Sequence, residues 1–309
     1  MITTIFKKST PINTALVLVL MLVFFLMYQF NIKTPLYLTT ELLKKGGMLL
    51  LLVSALLTLD FITKRNGLSK DSGFTQIFFL SFIIAFPTVL NEIDLLFANF
   101  FIILALRRLI SLQTLKTPKE KIFDASLWVF IASLFHFWCI LFILLVFISI
   151  FFHVSRDYRN WILPFLAFFS VGILFLAYTF MFDSIAISTF LANASSSFEL
   201  NYFTSIYQNL TFSIFTTLSL FFLTSLVLTI SNRPLILNSS FKKLISWFLI
   251  ATVVFVVSKE KSNALLVFTF APIAVMATCH VEISKTKWQN ELTLILVFLF
   301  GVFGFFSQL

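Results

Sequence analysis

Ten long apolar stretches follow one another along the sequence and are separated by short polar connections. A helix of about 20 apolar residues is long enough to cross the hydrocarbon core of a lipid bilayer. The sequence therefore predicts an all-α fold, a polytopic transmembrane helical bundle that forms a single integral membrane domain over residues 1–309. The stretches cover residues 12–32, 48–62, 74–90, 95–112, 123–152, 161–182, 211–230, 244–258, 264–283 and 292–306.

The composition excludes a soluble protein, because 60% of the residues are hydrophobic and only 11% are charged. Soluble domains are roughly 45–50% apolar and about 25% charged. The formal net charge of +9 does not indicate a nucleic-acid partner. Lys and Arg accumulate in the cytoplasmic loops of membrane proteins, where they contact anionic headgroups. We therefore expect membrane lipids as partners and no nucleic acid.

The distribution of Lys and Arg predicts the orientation, because these residues favour the cytoplasmic side. The first stretch lacks a small-x-small cleavage motif, so we interpret it as an uncleaved span rather than a signal peptide. With the N-terminus in the cytoplasm, only five of the 22 basic residues lie outside, and the C-terminus lies outside as well. These five are Lys33, Lys44, Lys45, Lys259 and Lys261.

The stretch 123–152 fits neither one span nor two. Basic residues on both flanks favour the cytoplasm, whereas a straight helix of 30 residues would place them on opposite sides. Two full spans would need about 40 residues. The sequence predicts a short broken or re-entrant pair with a bend near His136, which must be buried or line a cleft. This gives about 11 membrane segments. His136 itself is either a packed, hydrogen-bonded residue or a ligand or proton carrier.

Three carboxylates in the predicted outer connections are candidates for a general base: Glu41, Glu92 and Asp94. Glu92 and Asp94 belong to a very short connection, which holds them close to the edge of the bilayer. The alternative is that all three are solvated loop residues that follow from the topology.

Two pairs of lysines lie outside, against the usual bias, and are candidates for binding an anionic partner such as a lipid phosphate. One pair is Lys259 and Lys261, and the other is Lys44 with Lys45. The alternative is that Glu260 and the lipid headgroups neutralise the first pair. The three histidines are scattered and no HExxH motif accompanies them, so we predict no metal site and no cofactor.

Two segments resemble an uncharacterised family of bacterial polytopic inner-membrane proteins. They are residues 91–112 (NEIDLLFANFFIILALRRLISL) and 123–164 (FDASLWVFIASLFHFW, an apolar helix, then SRDYRNWILP). Their layout is similar, at a distance, to glycosyltransferases of the C-type fold, which use polyprenyl-phosphate-linked sugars. In those enzymes a span ends in a basic cluster, a broken helix pair follows, and an outer Lys or Arg precedes a Pro-containing helix. Lys259 or Lys261 ahead of Pro272 matches that last feature.

The resemblance implies a location in the bacterial inner membrane with a periplasmic C-terminus, and a polyprenyl-phosphate-linked sugar as substrate. Glu41, or Glu92 with Asp94, would then deprotonate the acceptor, and Lys259 with Lys261 would hold the donor phosphate. Two other functions remain open. One is a non-catalytic structural or assembly subunit that binds other envelope proteins, and the other is a transporter or flippase of lipid or a small anion.

Overall fold

The computed structural model of the protein describes residues 2–31, 39–182, 185–198, 205–259, 261–284 and 286–309, without the side chains of 2, 39, 40 and 235. Within these ranges the chain is helical and has no β-strand, in agreement with the predicted fold class. The helices are α1 (Ile2–Phe6), α2 (Pro11–Asn31), α3 (Thr39–Arg65), α4 (Phe74–Ala85), α5 (Ile93–Ser111), α6 (Pro118–Phe135), α7 (Ile143–His153), α8 (Arg159–Met181), α9 (Ala186–Ala192), α10 (Ile206–Thr229), α11 (Leu235–Val257), α12 (Val267–Ile283) and α13 (Lys287–Gln308).

Eight helices of the described part are long and apolar enough to cross a membrane, so the chain is a multi-pass membrane protein. They are α2, α3, α5, α8, α10, α11, α12 and α13. The predicted count of about 11 segments is not confirmed, because the other apolar elements are shorter or more charged. The segment 74–90, for example, forms only the 12 residues of α4 before Pro87 ends the helix. Proline lacks the N–H that a helix needs and disfavours helical geometry in the residue before it.

The chain was predicted as one domain, and its contacts group it into two compact units. The first unit contains residues 1–96, 201–233 and 263–309. At its centre is α4, every residue of which is buried, and α2, α3, α12 and α13 pack against it. The rings of Phe86, Phe215 and Phe270 form a cluster beside α4, with centroids 5.1–5.7 Å apart.

The contact between α13 and α4 is a close approach of two backbones. A Cβ atom added to Gly301 would come within 2.6 Å of the carbonyl oxygen of Ser81, and one added to Gly304 would come equally close to that of Ala85. One turn further on, the amide nitrogen of Gln308 donates to Ala85 O (3.0 Å) and to Thr211 Oγ1 (3.3 Å). Small residues that permit such an approach are typical of helix packing in membranes.

The second unit contains residues 97–200 and 234–262. Its framework is a hairpin of α6 and α7, with α8 packed along α6 and α11 packed along α7. The predicted break is present: α6 ends at Phe135, His136 has extended backbone geometry (φ −140°, ψ 109°), and a 3₁₀ turn over Phe137–Phe142 leads into α7. The first helix begins five residues earlier than the predicted stretch, because Pro118 suits the first position of a helix.

Candidate lipid-binding groove

An apolar groove runs along the second unit between α6 and α8, with the 3₁₀ turn and α9 at one end. Its volume is about 520 Å³. Its lining is almost wholly aromatic and aliphatic, with Ser133 the only hydroxyl side chain among the described residues that form it. Lining residues include Phe130, Leu134, Phe137, Phe168, Val171, Gly172, Phe175, Leu176 and Phe190.

The floor of the groove is a small hydrophobic core made by α6 and α8. Phe130, Ala167 and Val171 are buried there, and Ile140 and Ile143 pack against them. The rings of Phe130 and Phe168 meet edge to face, with centroids 5.3 Å apart. The floor is therefore held by ordinary core packing and does not depend on a ligand.

Gly172 keeps the groove open. A Cβ atom at this position would have no other atom within 4 Å, so the missing side chain leaves empty space. On the same helix Phe169 and Ile173 are 62% and 65% exposed and form one rim. The lining of α8 extends from Phe168 to Leu176, a length of about 12 Å at the helical rise per residue. Because α8 is long and apolar enough to cross a membrane and this rim is exposed and apolar, we expect the opening to contact lipid.

At one end the groove is closed by α9. The ring of Phe190 packs against Phe137 of the 3₁₀ turn (5.1 Å) and against Phe175 of α8 (5.4 Å). This end, next to the break in the hairpin, is called here the His136 end. The polar residue His136 directly precedes Phe137 at this end.

His136 is a hydrogen-bonded residue of the second unit. Its Nε2 lies 3.1 Å from Ser258 Oγ at the end of α11. Ser258 donates its own hydroxyl hydrogen to Val254 O (2.7 Å), so the Ser258 oxygen accepts and His136 donates from Nε2. The sequence allowed two roles for His136, a packed and hydrogen-bonded residue or a ligand or proton carrier. This hydrogen bond agrees with the first role.

Lys261 holds the segment after α11 in place. The side chain is 9% exposed, and its ammonium donates to the carbonyl oxygens of Ser197 and Ser258, the latter at 3.1 Å. Ser197 N also donates to Val257 O (3.3 Å), and Ser196 forms an isolated antiparallel bridge with Ser258. Two of the three ammonium donors of Lys261 are therefore used by the backbone. Its predicted role as a phosphate ligand stays a prediction.

Lys259 differs from Lys261 although it is only two residues away. It is exposed and has no hydrogen-bond or ion-pair partner among the residues that the structure describes. Glu260, which could neutralise it, lies outside the described residues. Lys259 directly follows Ser258, which hydrogen bonds to His136. His136 in turn precedes Phe137, which lines the His136 end of the groove.

The remaining candidate residues belong to the first unit. Glu41, Lys44 and Lys45 were expected in a loop, but α3 begins at Thr39 and places them in its first two turns. Lys44 is exposed, and Lys45 is 8% exposed. The segment is helical because Leu42 and Leu43 continue the apolar helix toward its N-terminus and Gly46 and Gly47 are accommodated within it.

Glu92 and Asp94 are both exposed at the start of α5, where a 3₁₀ turn over Pro87–Asn91 precedes the helix. Asp94 lies in the first helical turn, a favourable place for a negative charge. The predicted carboxylates thus belong to one unit, and Lys259 and Lys261 to the other. Their assignment to one catalytic site stays a prediction.

Sequence reasoning missed the groove because its lining has no chemical signature. The available signal was Gly172, a glycine inside an apolar span rich in Phe, where it weakens the helix unless space or packing requires it. The sequence could not distinguish a glycine that permits close packing from one that leaves a cavity.

No group of three or more His, Cys, Asp or Glu side chains suited to a metal ion occurs in the described part of the chain. Comparison with protein families, with characterised proteins and with solved structures gives no match to this chain.

Proposed function

We propose that the protein binds a long-chain lipid with a phosphate headgroup, of the polyprenyl-phosphate-sugar class, at the outer face of the bacterial inner membrane. The observation that supports this proposal is the apolar groove along α8. At one end it is lined by Phe137, whose neighbour His136 hydrogen bonds to Ser258, the residue before the exposed Lys259. The chain of the lipid lies along Phe168–Leu176, and its phosphate lies at the His136 end.

In this proposal the two lysines of the segment have different tasks. Lys261 donates to two backbone carbonyls and fixes the segment, whereas Lys259 presents its ammonium to the phosphate. A hydrogen bond between an ammonium and a phosphate oxygen is charge-assisted and contributes about 1.5–3 kcal/mol. The fixed segment reduces the conformational entropy that phosphate binding costs.

The resemblance to C-type glycosyltransferases suggests what the bound lipid is used for. The oxygen of an acceptor hydroxyl would attack C1 of the sugar, and the bond from C1 to the phosphate oxygen would break. The polyprenyl phosphate would leave with the bonding electrons, and a carboxylate would take the hydroxyl proton. Glu41, Glu92 and Asp94 are the candidates for that carboxylate, and Lys44 and Lys45 are further candidates for the phosphate.

A non-catalytic lipid-binding subunit of an envelope complex is the second candidate function. The observation that favours it is the aromatic and aliphatic lining of the groove, which suits the binding of a lipid chain. Among the described residues of the second unit, the carboxylates are Glu120, Asp124 and Asp157, all near the starts of α6 and α8 and away from the His136 end. The groove gives less support to the transporter alternative, because its lining is apolar and offers no polar path for a headgroup or an anion.

The binding proposal is tested with purified protein in detergent, using native mass spectrometry to compare polyprenyl phosphate with the corresponding polyprenol. We expect the phosphate form to bind at least about tenfold more tightly, in line with one charge-assisted contact. Lys259→Gln should abolish that preference. Lys287→Gln, which removes an exposed lysine at the start of α13, should leave it intact. Equal binding of the two lipids by the unaltered protein would contradict phosphate recognition.

A second experiment distinguishes the enzyme from the non-catalytic subunit. The protein in vesicles is supplied with a polyprenyl-phosphate sugar and an envelope extract, and release of polyprenyl phosphate is measured. An enzyme should release it, and either Glu41→Gln or Glu92→Gln combined with Asp94→Asn should stop release without weakening lipid binding. Tight binding without release would favour the subunit.

A further inference from the structure

A second cavity lies at the opposite end of the second unit, where α6 begins, α7 ends and α8 begins. It has a volume of about 560 Å³ and is lined by Pro118, by residues 152–157 and by Asn160. Its walls are part polar and part apolar, unlike those of the apolar groove. This cavity is called here the basic pocket.

The basic pocket lies where apolar helices end, and we expect lipid headgroups at this level of a membrane protein. It is formed where one apolar helix ends at His153 and the membrane-crossing helix α8 begins at Arg159. Next to it Tyr158 is 69% exposed, and Trp161 Nε1 donates to Ser155 O (3.3 Å). Tyr and Trp are enriched at this level of membrane proteins, because their rings are apolar and their tips are polar.

One arginine lies in the pocket wall, and three further cations lie beside its lining residues. Arg156 forms part of its wall, is exposed, and has no ion-pair partner in the described ranges. Lys119 follows the lining residue Pro118 at the start of α6, and Arg159 precedes the lining residue Asn160 at the start of α8. Lys242 Nζ lies 5.8 Å from the ring centroid of Phe152, which also lines the pocket. The clustering of these charges at a membrane surface favours an anionic lipid headgroup.

The one carboxylate in the wall is already compensated. Asp157 Oδ1 accepts from the backbone N–H of Arg159 (3.0 Å), and Asp157 Oδ2 lies 3.4 Å from Lys119 Nζ. The hydrogen bond from Arg159 and the nearby Lys119 hold the pKa of Asp157 below its ordinary value. Asp157 therefore positions Lys119 at the pocket and repels an incoming phosphate less than a free carboxylate would.

Asn160 supplies a hydrogen-bond acceptor that lacks a donor. The residue lines the pocket and is 2% exposed. Its Nδ2 donates to Val154 O (3.0 Å), which fixes the amide with Oδ1 as the remaining group. In the described part of the chain no donor reaches that oxygen. A buried acceptor without a partner costs about 1–3 kcal/mol, so the pocket favours a ligand that has a hydroxyl as well as a phosphate.

We infer that the basic pocket binds the headgroup of an anionic phospholipid that has a glycerol hydroxyl, the phosphatidylglycerol class. Arg156 and Lys119 bind the phosphate, and the headgroup hydroxyl donates to Asn160 Oδ1. The acyl chains pass beside Phe152 into the bilayer. The site is separate from the groove of the proposed function and does not depend on it.

The test measures lipid retention by native mass spectrometry of the full chain in detergent, with lipids of defined headgroup. We expect phosphatidylglycerol to bind about tenfold more tightly than phosphatidylethanolamine, whose ammonium meets a cationic cluster. Arg156→Gln should lower phosphatidylglycerol binding about tenfold, as expected for one charge-assisted contact. Arg65→Gln is the matched control, since it also removes an exposed arginine at a helix end. An equal loss in both variants, or no preference between the two lipids, would overturn the inference.

The role of Asn160 has its own readout, which is the preference for phosphatidylglycerol over phosphatidylethanol, a phosphodiester of the same charge without a headgroup hydroxyl. Asn160→Leu should reduce this preference to about one while phosphatidylethanol still binds. If the preference persists in the variant, the oxygen is satisfied by water and the assignment of the hydroxyl is wrong.

A competition experiment distinguishes a lipid from a soluble phosphate, with glycerol phosphate added as the competitor. Displacement of the lipid at equal concentration would identify a soluble phosphate as the ligand, against the lipid assignment.

Discussion

The glycines of α13 and the glycine of α8 occupy the same kind of sequence and have opposite surroundings. Gly301 and Gly304 lie against the backbone of α4, where an added Cβ would come within 2.6 Å of a carbonyl oxygen. Gly172 faces a volume in which an added Cβ would touch nothing within 4 Å. All three are in apolar helices within three residues of a phenylalanine. The absent side chain permits tight packing in the first unit and leaves room for a ligand in the second.

The comparison indicates how the two units divide their tasks. In the first unit the hydrogen bonds of Gln308 stabilise the close approach of α13 to α4, and the interface has no room for a larger side chain. In the second unit α8 borders a groove whose floor is well packed. The groove therefore lowers the stability of the fold only through the side chains exposed at its rim. We therefore expect substitutions at the two kinds of glycine to change stability in opposite directions.

The largest effect is expected for Gly304→Leu. The new side chain would overlap the backbone of Ala85 and the methyl group of Thr211. Overpacking of this kind costs about 3 kcal/mol or more when backbone must move. The midpoint of thermal unfolding in detergent should fall clearly. Gly46→Leu adds the same side chain to an exposed position of α3 with open space, and it should not lower the midpoint.

The next effect concerns Lys261→Met in the second unit. Methionine keeps the apolar stem but removes the donors that bind the carbonyls of Ser197 and Ser258. Leaving buried carbonyls without donors costs about 1–3 kcal/mol. Lys259→Met changes an exposed side chain and should cost less than about 0.5 kcal/mol. Equal losses in the two variants would show that Lys261 does not fix this segment.

The smallest change in stability is expected for Gly172→Leu, and it has the opposite sign. Glycine is a poorer helix former than alanine by about 0.8–1 kcal/mol, and leucine ranks just below alanine. The space at Gly172 can accept the leucine side chain. The unfolding midpoint should stay the same or rise. Binding of polyprenyl phosphate should fall about tenfold, because the added side chain occupies the groove. A variant that is destabilised and binds normally would remove the distinction between the two kinds of glycine.

These contrasts also mark what the sequence could predict. The apolar stretches and the basic flanks were sufficient for the helical membrane fold and for the break at His136, because both follow from segment length and charge. The expected loop at Glu41 was wrong, since Leu42 and Leu43 extend α3 toward its N-terminus. The division into two units could not be read from hydropathy, because lipid-facing and protein-facing apolar side chains look alike in sequence.

The candidate site was less predictable, because its properties depend on contacts between distant segments. Lys259 and Lys261 form one basic pair in the sequence, yet one is exposed and the other donates to Ser197, 64 residues away. The groove depends on the packing of α8 along α6, which no local pattern specifies. Asn160 looks like an ordinary polar residue near a helix start, and only its burial and missing donor identify it.

The break at His136 has a consequence for how the chain is made. The arm before it has 18 residues with charged groups in its first turns, and the arm after it has a 3₁₀ turn and only 11 residues of α-helix. Neither arm alone is a strong signal for release from the translocon into lipid. The extended backbone between them also needs protein around it. During synthesis the arms should therefore wait beside the translocon until both have emerged and then enter the bilayer together. The hydrogen-bond partner of His136, Ser258, is synthesised 122 residues later, so this hydrogen bond forms only after α11 has emerged from the ribosome.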